Sequence, residues 1–162
     1  MALVLNEEQV MLRDAAAGFL AEKATVAHLR ALRDSADATG FDAGVWREMA
    51  DMGWAGIAIP EEYGGLGYGY TGLGLVLEQA GRNLSASPLQ SSVLVAATVI
   101  LELGSQAQKA EWLPAIAAGD ALASLALQEG RHHAPLATNL SATRDGDVYR
   151  LHGTKVLVPD AG

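Results

Sequence analysis

Apolar residues recur at helical spacing along most of the chain. Leu12, Ala15, Ala16, Phe19 and Leu20 fall at i, i+3, i+4, i+7 and i+8, the one-sided stripe of a helix that buries a single face. Asn6 stands ahead of them as an N-cap, and Gln9, three residues on, completes a capping box. The period fades through the thirties, and Thr39-Gly40 closes that stretch. Asp42 then caps a second helix whose face is Val45, Trp46, Met49 and Met52, with Gly53 in the helix-ending position. Ile57-Ala58-Ile59 reads as a short strand-like run stopped by Pro60. Leu73, Val76, Leu77 and Ala80 return to helical spacing. Ser87-Pro88 reads as a cap followed by proline at the first helical position. It opens a segment, Leu89 to Leu103, that is apolar on nearly every side and so predicts a helix buried all round. Gly104 ends it. Ser105 and Gln108 form a second capping box, and Trp112-Leu113-Pro114 breaks or restarts a short helix that runs to Gly119.

After Gly119 the period changes. Ala121 to Leu127 is a short apolar run between turn formers. Ser141-Ala142-Thr143, the Asp145-Gly146 turn pair, Val148 to Leu151, and Lys155 to Val158 behind Gly153-Thr154 carry β signals. The expected fold class is therefore mainly α: an N-terminal helical domain over 1–120, then the beginning of an antiparallel β domain over 121–162. That second part has at most four short strands and no partner sheet, and a two- or three-strand fragment is marginal alone.

Composition narrows the function classes. Half the residues are apolar, enough for a core, and the net charge is −8. Scattered basic residues and an acidic balance argue against nucleic acid, whose phosphates need clustered Lys and Arg. The chain has no cysteine, which removes disulfides, thiolate metal sites and cysteine nucleophiles. The N-terminal MALVLNEEQV has no basic region ahead of its acids and does not read as a signal peptide. Asn83 to Leu101 carries no charge but holds Pro88, Asn83, Gln90 and four serines, so no membrane span is expected. These features fit a soluble, cytoplasmic protein.

One motif invites a nucleotide reading. Gly67-x-Gly69-x-x-Gly72 matches the dinucleotide fingerprint, in a run that also holds Gly64, Gly65 and Gly74. The fingerprint needs a strand directly before it and an acid about 20 residues after it. Pro60 separates Ile59 from the run, and Ser91, Ser92 and Val93 occupy the acid's place, so the match is a coincidence of composition. Tyr63, Tyr68 and Tyr70 are expected to pack the loop on neighbouring helices. His132, His133 and His152 suggest a metal only superficially. Adjacent residues in extended chain point opposite ways, and no spaced carboxylate or cysteine completes a set, so no metal is expected.

Taken in order, the signals resemble the acyl-CoA dehydrogenase family. They are Asn6-Glu-Glu-Gln9; Trp46-x-x-Met49-x-x-Met52-Gly53 running into Gly56-Ile-Ala-Ile-Pro60-Glu-Glu-Tyr-Gly-Gly65; Leu103-Gly-Ser-x-x-Gln108-Lys109-x-x-Trp112-Leu113-Pro114 to Gly119; and Arg144-Asp-Gly-Asp-x-Tyr149-x-Leu151-x-Gly153-x-Lys155. The resemblance implies a helical domain, a middle β domain and a C-terminal helical bundle. This chain covers the first and part of the second. It implies an FAD enzyme that oxidises an acyl-CoA thioester across its α and β carbons, a step of fatty acid oxidation in lipid metabolism. A carboxylate takes the α proton and the flavin takes the β hydride. That carboxylate normally lies in or near the bundle, so Glu48, Glu78 and Glu129 are not assigned the role and no catalytic residue is expected here. By itself the chain should be inactive.

The family's flavin strand is matched by Leu125-Ala126-Leu127-Gln128-Glu129-Gly130, where Leu125, Leu127 and Gln128 would offer backbone groups to the isoalloxazine ring. Gln128 replaces a Thr or Ser, and the following Gly-Ser-Asp, whose serine reaches the flavin pyrophosphate, is replaced by Gly130-Arg131-His132-His133. Arg131 with one histidine would supply positive charge in its stead; the alternative is an ordinary surface loop. At the second flavin element Leu157 takes the aromatic place and Pro159 the hydroxyl place, and proline has no N–H to offer flavin N5. Gln90, Val93 and Leu94 are the residues expected to face the acyl chain. The implied partners are an acyl-CoA, an electron-transfer flavoprotein or similar acceptor, and further subunits of a homo- or hetero-oligomer. Two other readings stand beside this one. The first is a non-catalytic or flavin-poor subunit of a heteromeric dehydrogenase; the second is a free-standing helical interaction domain, which the dangling strands argue against.

Overall fold

The computed structural model describes residues 4–36 and 38–160. They fall into two compact units, one reaching Ala123 and the other starting at Ser124. The architecture is mainly α, a helical unit followed by a single antiparallel hairpin.

The helical unit holds α1 (Glu7–Lys23), α2 (Val26–Asp34), α3 (Ala43–Asp51), α4 (Gly69–Asn83), a π-helical segment (Leu89–Ala96) continuing into α5 (Ala97–Leu103), and α6 (Gln106–Ala117). Both capping boxes form. The Gln9 N–H donates to the Asn6 side chain and the Asn6 N–H to Gln9 Oε1, and the same exchange links Ser105 and Gln108. Asp42 Oδ1 accepts the N–H groups of Gly44 and Val45, which opens α3. The main core joins α1, α3, α4 and the π segment through Leu20, Met49, Trp54, Leu73, Val76, Leu89 and Val93. Phe19 meets Trp54 edge-to-face with ring centroids 5.4 Å apart. A second cluster, Ile59, Ala97, Leu113, Ile116 and Ala117, seats α6. The indole N–H of Trp46 donates to Gly119 O at 3.0 Å, and Arg47 reaches Ala118 O and Asp120. Gly119 is required there: it has φ +75°, and a Cβ would lie 2.6 Å from that of Ala50.

Several sequence expectations are corrected. α1 ends at Lys23 and a separate helix, α2, fills the region where the apolar period fades. Thr25 caps it by accepting the His28 N–H, and Val26, Leu29 and Leu32 are half-buried on it. On α1 Ala15 is exposed, and on α3 Ala50 rather than Met52 completes the buried face. Ile57 to Ile59 is a tight turn, not a strand. Leu89 to Leu103 is not buried all round, since Gln90 is exposed and Leu103 is 82% exposed. Pro88 sits at the N-cap of the π segment instead of its first turn, and Ser87 makes no capping bond. Pro114 neither breaks nor restarts α6, which runs through it; the carbonyl its missing N–H leaves free belongs to the exposed Ala110, where water can reach it.

In the second unit β1 (Ser141–Asp145) pairs antiparallel with β2 (Val148–His152), with Ala142 opposite Leu151 and Arg144 opposite Tyr149. Gly146 turns the hairpin with φ +65°. All residues of both strands are exposed. The runs Ala121–Leu127 and Lys155–Val158 do not form strands. A strand exists through its ladder, and only one rung, Val156 N–H to Gln128 O at 2.8 Å, joins the two regions.

Candidate functional site

The first part of the glycine run folds back on its own backbone, and the rest, from Gly69, lies in α4. The N–H groups of Gly65, Leu66, Gly67 and Tyr68 donate to the carbonyls of Pro60, Gly56, Ile59 and Ile57, at 2.9 to 3.2 Å. Gly65 presses on the Ile57–Ile59 turn so closely that a Cβ would lie 2.0 Å from Ile59 O. Those four donors of the loop are spent within the protein. The tyrosines pack this loop: Tyr63 and Tyr68 lie against the two core clusters, and the hydroxyls of Tyr63 and Tyr70 bond Gln106 and Thr98.

The π segment is the first candidate surface. Its wide i→i+5 register is rare and frequent at functional sites. Gln90 opens onto a cavity of about 180 Å³ lined also by Leu77, Ala80, Leu84, Ser85 and Ser87. Val93 is buried in the main core and Leu94 packs against it, so the three expected acyl-facing residues do not form one wall. The segment also carries two buried hydroxyls that periodicity passes over. Ser92 accepts the Ala123 N–H at 3.2 Å, and Ser91 donates to Pro88 O. Two adjacent serines in an otherwise apolar segment are the signal that marks them.

The second candidate lies in the other unit. Leu125 and Leu127 are exposed and Gln128 half-buried. Two carbonyls of this segment are taken: Lys155 Nζ donates to Leu127 O at 3.2 Å and Val156 N–H to Gln128 O. Among the described residues no acceptor takes the N–H groups of Leu125, Leu127 or Gln128. The Gln128 side chain accepts the Ala134 N–H and lies 3.4 Å from His133 Nδ1. Glu129 is the polar centre. It accepts from Lys155 Nζ at 2.7 Å, Thr138 Oγ1 at 2.7 Å, and the N–H groups of Asn139 and Leu140. These donors, Lys155 first, hold its carboxyl down at about 2. The partners of Glu129 lie 9 to 26 residues away, beyond the reach of local patterns.

Arg131 and His132 are exposed, and Arg131 pairs with no acid among the described residues. Leu157 is 72% exposed with φ +54°, an uncommon conformation for leucine, and Pro159 is exposed. Leu125, Leu127 and Gln128 fit a ligand such as FAD, since they offer unclaimed backbone N–H donors among the described residues. Pro159 does not fit, since it has no donor of either kind. Among the described residues no group of three or more His, Asp or Glu is placed to hold a metal, and no helix is long and apolar enough to cross a membrane.

These features combine a capped helical unit, an exposed hairpin and a backbone donor segment between them in sequence. The chain belongs to the acyl-CoA dehydrogenase family: residues 6–120 match the model of the acyl-CoA dehydrogenase N-terminal domain. It is 33% identical over 160 residues to the (2S)-methylsuccinyl-CoA dehydrogenase of Cereibacter sphaeroides, which covers 97% of this chain and 28% of that protein. Among solved structures it is similar to the ChsE4-ChsE5 complex from Mycobacterium tuberculosis, with a TM-score of 0.82, 28% identity, and coverage of 96% of this chain and 41% of that one. It is also similar to an acyl-CoA dehydrogenase complexed with FAD from Bacillus anthracis, with a TM-score of 0.80, 26% identity, and coverage of 95% and 27%. The chain thus spans well under half the length of these proteins.

Proposed function

We propose that this chain is the N-terminal part of an FAD-dependent acyl-CoA dehydrogenase that introduces a double bond between the α and β carbons of an acyl-CoA thioester. The observation that carries the reading is the Leu125–Gln128 segment, in which the Leu127 and Gln128 carbonyls are tied within the protein while the N–H groups of Leu125, Leu127 and Gln128 are unclaimed among the described residues. The FAD bound to the Bacillus anthracis relative supports the choice of ligand. In this reading residues 1–120 are the helical domain and 121–162 the start of the β domain. FAD, when bound, supplies the acceptor for the substrate's β hydride. Leu125, Leu127 and Gln128 hold the ring edge, Arg131 offers charge to a phosphate, and Leu157 and Pro159 lie near the second flavin element. Gln90, with Val93 and Leu94 behind it, lies toward the acyl chain. The base that removes the α proton lies outside these residues, so the chain alone turns over no substrate. The enzyme works in the cytoplasm, as an oligomer, and passes electrons to an electron-transfer flavoprotein or a similar acceptor.

The test is the visible flavin spectrum of the purified full-length protein, followed by bleaching on anaerobic addition of acyl-CoA. Absence of flavin even with excess FAD contradicts the reading. A second reading is favoured by two replacements, the proline at position 159 and Arg131-His132-His133. In it the chain is part of a non-catalytic or flavin-poor subunit of a heteromeric dehydrogenase, as the two-component ChsE4-ChsE5 complex suggests. Flavin found only in a co-purifying partner supports that alternative.

A further inference from the structure

We propose that Glu129 and Lys155 are a positioning pair that holds Leu125 to Gln128 in the line on which this segment meets the flavin; the proposal rests on the flavin reading above. Three stretches of chain converge on the pair. Glu129 itself ends the donor segment, Thr138, Asn139 and Leu140 lead into β1, and Lys155 and Val156 follow β2. Lys155 bridges two acceptors, Glu129 Oε1 at 2.7 Å and Leu127 O at 3.2 Å, and its neighbour Val156 secures Gln128 O. The carbonyls of Leu127 and Gln128 are thereby fixed, and the N–H groups of Leu125, Leu127 and Gln128 are left without a protein acceptor among the described residues.

The pair differs from the other ion pairs of the chain. Its side chains are only 10% and 21% exposed, whereas the Arg150–Asp145 pair on the hairpin is 77% and 55% exposed. A charge so far withdrawn from water is costly when its partner is removed, so either single loss should release the segment. The surrounding unit buries no apolar side chain among the described residues, so no hydrophobic core is available to hold the segment in the pair's absence.

The experiment uses the full-length protein with Glu129→Gln, Lys155→Met, the double variant, and Lys155→Arg. Two quantities are read: hydrogen exchange in the flavin-free protein at Leu140 and Val156, and the FAD dissociation constant from quenching of flavin fluorescence. We expect each of the first two variants to speed exchange at these amides and to weaken FAD binding about tenfold, the loss expected for one charged hydrogen bond. The double variant should be no worse than either single one, and Lys155→Arg should stay close to wild type, with helical-unit exchange unchanged in all four. Unchanged exchange at Val156 overturns the clamp whatever the flavin does. Faster exchange with unchanged FAD affinity overturns its positioning role and leaves it a local brace. A wild-type protein that takes up no FAD while the variants still speed exchange sinks the flavin reading and the positioning role with it, and is told apart from failure of the clamp by the exchange data.

Discussion

Among the described residues every buried apolar side chain lies between Ala16 and Ala117, whereas from Ser124 onward Leu125, Leu127, Leu136, Val148, Tyr149, Leu151 and Leu157 are all exposed. The helical unit is held by burial, about 25 cal/mol per Å² of apolar surface removed from water, which makes its order cooperative. The second unit is held by one hairpin ladder, one further rung and the Glu129 node. An isolated hairpin contributes little, and the Glu129–Lys155 pair fixes only the chain it touches, so order there is local. The contrast separates a rigid scaffold from a segment shaped by a few polar contacts and open to a ligand.

The largest effect should come from the core. Leu73→Ala, at a fully buried position, is expected to cost about 2–5 kcal/mol in urea unfolding, and Leu151→Ala on the hairpin under about 0.5 kcal/mol. Equal losses at the two sites would erase the comparison. Gly65→Ala should follow at about 1–3 kcal/mol, because the new methyl meets the Ile59 carbonyl and the loop must shift. Gly74→Ala has the opposite sign. This α4 glycine has open space around a Cβ, so the change should stabilise by about 0.5–1 kcal/mol, read as a higher melting temperature.

The smallest effect on global stability is an acid titration confined to the second unit. The Glu129 carboxyl has a folded pKa of about 2 against an ordinary 4.5. A depressed carboxyl stabilises fully above its unfolded value and loses that contribution as pH falls from 4.5 through about 2. The amide signals of Asn139 and Leu140 should therefore move near pH 2 while the urea midpoint of the helical unit is unaffected by this group. Movement near pH 4.5 would mean that the node does not hold in solution.

Legibility in the sequence follows the same division. Asn6 with Gln9, Ser105 with Gln108, and Asp42 are read correctly because a cap and its partners lie within three residues. The α4 face is read because burial imprints a 3.6 period. α2 is missed because its nine residues give only Val26, Leu29 and Leu32 as an apolar face, too short a run to stand out, and Ile57–Ile59 is misread because two isoleucines around an alanine suit a strand as well as a tight turn under Gly65. The π register of Leu89–Ala96 leaves no periodic trace in a segment apolar on most sides. Lys155–Val158 has strand composition but no ladder partner. The motifs that carry the family resemblance are legible one by one. The Glu129 node is not, since its geometry exists only once residues 129, 138–140 and 155 are brought together.

The comparison is tested most directly by residue-resolved hydrogen exchange over the whole chain. The account predicts that the amides of Leu20, Leu73, Val93 and Leu113 exchange slowest and together, at the rate of global unfolding, while those of Val148 to His152 exchange far faster through local opening. Hairpin amides as slow as the core amides would contradict it.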